Sequence, residues 1–277
     1  LIRSIERADV IVISGANTMG ESSHLLLYLA YISKAYLGKI TQLVNHSCYP
    51  QGNLEIDDIE RSKLYSYVYN QMDYVALQEL FSSQLMRILH VENRLATSML
   101  PQYIKNHFDG MKGDEKEITL GGTDKLSKKS YLQIIGYLME MEEAGYQITI
   151  LTDPKSKAER AYPASWKIER AESIEEWIDA INRTSLFVSQ DFHEALAALY
   201  LHTPLICLQG ESPANEALLR MTIGYRTIDP EEADLASLLL AKTEFLLDCP
   251  YEELDFASRE QLDELALNNF QSKIGVL

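Results

Sequence analysis

The sequence predicts an α/β protein with two lobes, each built on a parallel β-sheet that is covered by helices. Short apolar runs alternate along the whole chain with segments whose apolar residues recur at helical spacing. The chain has 277 residues, which is long enough for two domains of ordinary size. A polar, glycine-bearing stretch at 109–116 interrupts the alternation. We therefore expect an N-terminal lobe at 1–112 and a C-terminal lobe at 113–277 whose last helices pack back on the body.

The first lobe is predicted to contain three main strands joined by helices. A buried-strand run opens the lobe, and the first long helix ends at Gly38, because glycine is a typical residue after a helix C-terminus. The predicted strands are at 9–14, 40–45 and 74–77, with a short extended segment at 93–96, and the predicted helices are at 22–37, 56–70, 80–89 and 101–108.

The second lobe repeats the alternation of strands and helices. Ser173 is the expected N-cap of one helix, with Glu176 at the capping-box position three residues later. The predicted strands are at 117–120, 147–152, 186–189, 205–208 and 225–228, and the predicted helices are at 127–144, 173–182, 192–201, 213–221 and, as an acidic-apolar pair, 230–270.

Composition limits the class of protein. A content of 46% hydrophobic and 24% charged residues is typical of a soluble globular chain, and no run approaches the about 20 apolar residues that span a bilayer. No signal-peptide pattern is visible, so we expect a cytoplasmic location, although Leu1 in place of methionine indicates an internal fragment. Three widely spaced cysteines, Cys48, Cys207 and Cys249, predict neither a disulfide framework nor a zinc site. We expect no metal and no cofactor, and Cys207 as a core thiol.

The net charge of −16 argues against broad binding to nucleic acid or to anionic lipid, because both surfaces would repel the chain. Acidic residues are most frequent near the C-terminus, where they predict a solvated helix face. The partners expected are small molecules, and the oligomeric state stays open.

His193 is the first candidate for chemistry. It stands where an apolar strand ends, a short polar turn follows and an Ala/Leu-rich helix begins. Open α/β sheets bind ligands at such corners, and the helix N-terminus there favours anions. An imidazole can exchange a proton near neutral pH, so His193 could act in catalysis, but it could equally cap or pack the helix start.

Further candidates follow other predicted strands. Gly15 and Asn17 lie in a glycine-bearing loop that could approach a phosphate or sugar through the backbone, or could form a simple tight turn. Asn45 and His46 end the next strand, and His46 is a second possible proton-transfer group or a merely structural histidine.

A loop that precedes a late helix supplies acidic and basic candidates. Glu211 and Glu216 could accept a ribose hydroxyl or could serve the helix start alone. Arg220, about one helical turn after Glu216, is the cation nearest to this loop in the sequence.

The corner around His193 resembles a motif of the polysaccharide pyruvyl transferase family, in which a strand ends in a Gly-Ser-Arg-Phe-His-like turn that leads into a helix and a Pro-Val-Ile strand. Phe192 and His193 match this motif, whereas Asp191 occupies the arginine position. Gln78 occupies a second arginine position of the family. Similar segments follow in the family's order at 8–15, 43–50, 73–82, 118–122 and 145–153.

This resemblance implies a GT-B-like fold of two Rossmann-like lobes with a ligand cleft between them. It implies transfer of pyruvate from phosphoenolpyruvate to a sugar acceptor during synthesis of a surface polysaccharide of the cell envelope. His193 would be the general acid or base, with Gly15, Asn17, Asn45, Gln78 and Asp191 lining the site. The family carries a further strand-helix unit upstream, so the chain would be a divergent member that lacks its N-terminal segment.

Two departures from the family keep other functions open. The loss of both arginines removes the bidentate groups that would bind phosphate and carboxylate. One alternative is a GT-B glycosyltransferase that uses a nucleotide sugar, with Glu211 or Glu216 on the ribose. Another is a non-catalytic sugar-binding or scaffold protein.

Overall fold

The computed structural model has an α/β fold with two all-parallel sheets, which confirms the predicted fold class. The structure describes residues 2–16, 24–48, 56–108, 113, 116–122, 126–152, 162–210, 214–222, 227–248 and 259–270. Within this part of the chain, no helix is long and apolar enough to cross a membrane.

The first sheet has the strand order β1-β2-β3-β4, with every neighbouring pair parallel. Its strands are β1 (Val10–Ala16), β2 (Ile40–Ser47), β3 (Tyr74–Leu77) and β4 (Arg94–Leu95). The helices around it are α1 (Ile2–Arg7), α2 (His24–Tyr31), α3 (Ile56–Tyr69) and α4 (Leu80–Ile88).

The helix predicted at 22–37 is not a regular α-helix throughout. After α2 the chain continues as a π-helical turn at Ile32–Tyr36, where the Leu37 N–H donates to the Ile32 carbonyl five residues earlier. Gly38 follows with φ +60°, a left-handed conformation that glycine adopts at little cost. The sequence therefore predicts the end of this helix correctly but not its widened last turn.

The second sheet has the strand order β7-β6-β5-β8-β9, again with all neighbours parallel. Its strands are β5 (Glu117–Leu120), β6 (Gln147–Thr152), β7 (Lys167–Arg170), β8 (Leu186–Ser189) and β9 (Leu205–Cys207). The remaining helices are α5 (Leu100–His107), α6 (Lys128–Glu143), α7 (Ile174–Arg183), α8 (Phe192–Leu201), α9 (Ala214–Thr222), α10 (Leu235–Asp248) and α11 (Arg259–Leu267).

Side-chain caps fix where several helices begin. The Ser127 hydroxyl accepts from the Ser130 N–H at the start of α6, and the Ser173 hydroxyl accepts from the Glu176 N–H at the start of α7. Ser173 is thus the N-cap that the sequence predicts. At the C-terminus of α8, His202 adopts a left-handed conformation and ends the helix.

The second sheet differs from the prediction in two places. β7 was not predicted, because its sequence Lys-Ile-Glu-Arg has a single apolar residue and lies at the edge of the sheet. The strand predicted at 225–228 is reduced, among the described residues, to one bridge between Ile228 and Leu208, and 223–226 lie outside them. The predicted helical pair at 230–270 corresponds to α10 and α11.

Each sheet has its own hydrophobic core. In the first, Leu43, Val75 and Leu77 pack with side chains of α2, α3 and α4. In the second, apolar residues of β5, β6 and β8 pack against α6 and α10, where Ile134 and Leu239 are fully buried. Cys207 is buried, as the sequence predicts for a core thiol. The inner strands β3, β5 and β8 are buried along their whole length, as is typical of parallel sheets covered on both faces.

The density of internal contacts divides the chain into two compact units. The first unit comprises Leu1–Met99, Glu211–Ala217 and Glu260–Leu277, and the second comprises Leu100–Gly210 and Leu218–Arg259. By this division α5 belongs to the second unit, although it precedes residue 112. The division at residue 112 and the packing of the last helices on the body stay predictions.

Candidate functional site

The carboxyl ends of the strands are the candidate site regions, because open parallel sheets bind ligands outside those ends. The sequence-predicted residues fall on two such edges. The edge of the first unit carries Gly15, Asn45, His46 and Gln78, and the edge of the second unit carries Asp191 and His193.

A β-bulge shapes the edge of the first unit. Ser14 pairs with Val44 and Gly15 pairs with His46, so Asn45 has no partner on β1. Asn45 has φ +48° and Gly15 has φ +128°, backbone conformations that asparagine and glycine tolerate best. A bulge redirects the side chain that follows it, which here is His46.

His46 is a buried histidine with both ring nitrogens in hydrogen bonds. Nδ1 lies 3.0 Å from the Gly15 carbonyl oxygen, and Nε2 lies 2.5 Å from the Tyr69 hydroxyl. A carbonyl only accepts, so Nδ1 donates to it and Nε2 accepts from Tyr69. Burial lowers the pKa of His46 to about 4, so the ring is neutral at neutral pH. This geometry suits a ring that braces the bulge better than one that exchanges protons with a substrate.

Asn45 and Gln78 are held close to this histidine by their backbones. The Asn45 N–H donates to Oδ1 of Asn269 at 2.6 Å, and the Gln78 N–H donates to the His46 carbonyl at 2.8 Å. The amide oxygens of Asn45 and Gln78 are buried, and neither has a hydrogen-bond partner among the described residues. The structure therefore brings Gly15, His46 and Gln78 into one hydrogen-bonded row.

Glu79 is a buried carboxyl group that sequence reasoning missed. It is the N-cap of α4, where both oxygens lie 2.9 Å from the Ser82 N–H and the Ser47 hydroxyl donates at 3.1 Å. Burial raises the pKa of Glu79, against the effect of these hydrogen bonds. The available signal was an acidic residue directly after an apolar strand and three positions before Ser82.

Two glycines at the end of β5 shape the edge of the second unit. The Gly121 N–H donates to the Val188 carbonyl at 2.9 Å. A Cβ at Gly121 would come within 2.9 Å of both Phe187 Cζ and Glu194 Cδ. A Cβ at Gly122, which has φ +57°, would come within 2.9 Å of the Asp191 nitrogen. Only a chain without side chains at these positions fits against the turn that begins α8.

Ser189 and Glu194 stabilise that turn from inside. The Ser189 hydroxyl donates to Glu194 and accepts from the Asp191 N–H at 2.9 Å. The indole N–H of Trp177 donates to the other Glu194 oxygen at 3.3 Å. Glu194 is buried by these contacts, which the sequence does not reveal because its partners come from α7 and β8.

Asp191 and His193 occupy the start of α8. Oδ1 of Asp191 accepts from the His193 N–H at 2.8 Å and from the Glu194 N–H at 3.1 Å, so Asp191 is the N-cap of the helix. The His193 side chain is 49% exposed, its ring stands edge-on to Phe192, and Nδ1 lies 4.0 Å from Oδ1 of Asp191. His193 is therefore accessible, and the Asp191 carboxylate lies beside its ring.

Of the other predicted site residues, two lie on α9 and two lie outside the described residues. Asn17 and Glu211 lie outside the residues that the structure describes. Glu216 is half-buried in the first turn of α9, and Arg220 is exposed in its last turn. Across the described ranges, no cluster of three or more His, Cys, Asp or Glu side chains is arranged to hold a metal ion.

A chain with two lobes, each built on a parallel sheet, matches the GT-B-type fold, and comparison with solved structures supports that class. The putative UDP-N-acetylglucosamine 2-epimerase of Listeria monocytogenes matches with a TM-score of 0.66 at 11% identity, over 96% of this chain and 73% of that chain. The UDP-GlcNAc 2-epimerase of Methanocaldococcus jannaschii, in complex with UDP-GlcNAc and UDP, matches with a TM-score of 0.58 at 14% identity, over 95% and 76%.

A transferase shows the same architecture at lower similarity. The α,α-trehalose-phosphate synthase (UDP-forming) of Burkholderia xenovorans matches with a TM-score of 0.50 at 10% identity, over 88% of this chain and 68% of that chain. No protein-family model matches the sequence, and a search of curated proteins finds no relative. At these identities the likeness establishes the fold alone.

The resemblance to the polysaccharide pyruvyl transferases is wrong. The structural neighbours are UDP-GlcNAc 2-epimerases and GT-B glycosyltransferases. Asp191, at the supposed arginine position, caps α8, and Gln78 is buried beside His46. The matched segments are strand-turn-helix corners, which any sheet of this architecture contains. The inference that phosphoenolpyruvate is the donor rested on this resemblance and is therefore no longer supported.

The glycine at the end of β5 gives a stability prediction. We expect Gly121→Ala to destabilise the fold by about 1–3 kcal/mol, because the new methyl group must displace Glu194 or Phe187. Gly136→Ala in α6 is the matched control, since a Cβ there meets open space and alanine favours a helix by about 0.5–1 kcal/mol. Urea denaturation of both variants measures the difference. A Gly121→Ala protein as stable as the wild type would contradict the close packing.

The burial of His46 gives a pH prediction. The pKa of His46 is about 4 in the folded chain and about 6.5 in the unfolded chain. Between these pH values His46 is therefore protonated in the unfolded chain and neutral in the folded chain. This contribution to stability is complete above pH 6.5 and is lost as the pH falls toward 4, by roughly 3 kcal/mol.

The variant His46→Asn isolates this effect, because asparagine keeps a donor for Gly15 but does not titrate. The raised pKa of Glu79 acts in the opposite direction and is shared by both proteins. Urea denaturation at several pH values is expected to show a steeper loss of stability in the wild type. Equal slopes for the two proteins would refute the assignment.

Proposed function

We propose that this protein binds a UDP-sugar at the carboxyl edge of its second sheet and transfers the sugar to an acceptor hydroxyl. The observation that carries the proposal is the accessible pair of His193 and Asp191 at the start of α8, directly after the carboxyl end of β8. Open α/β sheets bind nucleotides outside the carboxyl ends of their strands, beside helix N-termini of this kind. The same fold holds UDP-GlcNAc and UDP in the M. jannaschii epimerase, which supports this class of ligand.

His193 is the proposed general base of the transfer. In the reaction the acceptor oxygen forms a bond to the anomeric carbon, the bond from that carbon to the diphosphate breaks, and UDP leaves with the electron pair. The acceptor proton passes to His193, whose ring is accessible and lies beside the Asp191 carboxylate.

Two charged residues of α9, Glu216 of the first unit and Arg220 of the second, stay candidates for contacts to the nucleotide. Glu216 is the candidate for a ribose hydroxyl, because carboxylates accept hydrogen bonds from vicinal diols. Arg220 is the candidate cation for the diphosphate, since a guanidinium binds phosphate oxygens in a bidentate manner. Glu211 stays a second candidate for the ribose.

Two other functions are each favoured by a specific observation. Epimerisation at C2 of a UDP-sugar is favoured by the higher TM-scores of the epimerase structures, 0.66 and 0.58, compared with 0.50 for the synthase. A non-catalytic sugar-binding role is favoured by the Asp191 cap, which engages two N–H groups at the start of α8 and adds a negative charge there.

One experiment separates these functions. The chain is incubated with UDP-GlcNAc or UDP-glucose and a panel of sugar acceptors, and products are followed by NMR. Transfer gives UDP and a new glycoside, epimerisation gives the C2 epimer, and a non-catalytic protein gives line broadening without conversion. Phosphoenolpyruvate serves as the control ligand. If none of the UDP-sugars binds, the proposal fails.

His193 has a kinetic prediction. We expect His193→Ala to lower kcat by about 100- to 10,000-fold with a small change in sugar-nucleotide affinity, because the ring is assigned to proton transfer. His107→Ala is the matched control, since His107 is an exposed histidine of α5 in the same unit. Equal activity of the two variants would remove His193 from the mechanism.

Asp191 has a binding prediction that keeps the helix intact. Asparagine is as good an N-cap as aspartate, so Asp191→Asn removes the charge and preserves α8. We expect UDP to bind about fivefold more tightly, which corresponds to about 1 kcal/mol of relieved repulsion. Asp191→Ala loses the cap and is expected to be less stable by about 1 kcal/mol. Isothermal titration with UDP measures the effect, and an unchanged affinity would place the diphosphate away from α8.

A further inference from the structure

The first unit exposes large apolar side chains on α2, the π-helical turn and α3. We call this surface the tyrosine face. Each of its side chains is between 50% and 75% exposed. Its members are Leu25, Tyr28, Tyr36, Leu64 and Tyr67.

The tyrosine face is one continuous surface. The two members on α2 are three residues apart, as are the two on α3, and this spacing places each pair on one side of its helix. The half-buried Tyr31 joins the elements, because its ring centroid lies 5.8 Å from that of Tyr36 and 6.1 Å from that of Tyr67. The hydroxyls of Tyr31 and Tyr67 also form a hydrogen bond.

The face is as large as the largest apolar patches of monomers and approaches one partner's share of an interface. With about 200 Å² for a fully exposed side chain of this kind, the five members offer about 600 Å². This area lies at the upper end of the ~300–600 Å² patches that monomers expose. It is about three quarters of the ~800 Å² that one partner buries in a standard protein interface.

Charge distinguishes the face from the rest of the chain. The whole chain carries a net charge of −16, so two copies repel each other over most of their surfaces. The sequence from 22 to 54 contains no acidic residue. On α3, exposed Glu60 and Lys63 each precede a member of the face by four residues and give its rim both signs of charge. A two-fold contact can pair such opposite charges.

We propose that the tyrosine face binds a second copy of this chain about a two-fold axis, so that α2 and α3 of the two copies pack together. The tyrosine hydroxyls are the only hydrogen-bonding groups among its five side chains. A sugar needs more hydrogen-bond partners than this, whereas an apolar protein surface with a charged rim matches the anatomy of a dimer interface. The inference is independent of the proposed UDP-sugar reaction.

Sedimentation velocity of the full chain over a concentration series tests the proposal. The wild type is expected to form dimers at micromolar concentration. Tyr28→Glu with Tyr67→Glu places like charges across the two-fold axis and is expected to weaken the dimer at least 100-fold. Leu64→Ala, a milder change on the same face, is expected to weaken it about tenfold. Leu132→Glu is the matched control, because Leu132 is similarly exposed on α6 in the other unit.

Circular dichroism melting verifies that each variant is folded. Three results would overturn the proposal: a wild type that stays monomeric at every concentration, a dimer whose dissociation constant is unchanged in both face variants, or a wild type that grows beyond a dimer. The last result would indicate a head-to-tail contact in place of a two-fold one.

Discussion

The contact between the Gly121–Gly122 backbone and the start of α8 is the constraint on which the second unit depends. β5 is the central strand of its sheet, and Gly121 hydrogen-bonds to the end of β8. The loop after β5 and the turn after β8 therefore lie closer together than any side chain permits. This close approach constrains the backbone of the turn that carries Asp191 and leads to His193.

The first unit fixes the same kind of edge by a different means. There a bulge at Asn45 turns His46 into the interior, Gly15 and Tyr69 bond both nitrogens of its ring, and the Glu79 cap accepts from Ser82. Buried polar groups are costly unless they are paired, so this network stabilises one conformation and leaves its ring nitrogens no spare capacity. The edge of the second unit instead keeps Asp191 and His193 accessible, which is why the proposed chemistry is assigned there.

Local patterns predicted most of the fold, and tertiary contacts decided the rest. The bounds of β5 and β6 and the Ser173 cap follow from apolar runs and capping chemistry alone. The bulge at Asn45 depends on the register between β1 and β2, which no local pattern encodes. The family resemblance failed because a strand-turn-helix corner is common to all such sheets. Asp191 at the supposed arginine position was the signal that the inherited anion site is absent.

Asp191 also limits how a nucleotide sugar can be held. A helix start offers few free N–H groups, and this carboxylate already uses those of His193 and Glu194. A diphosphate at α8 must bind without these two donors and beside a negative charge. Its affinity must then come from a cation such as Arg220 and from contacts to the nucleoside and sugar. A carboxylate is, however, a good acceptor for sugar hydroxyls, so the residue that weakens diphosphate binding is suited to selecting the sugar.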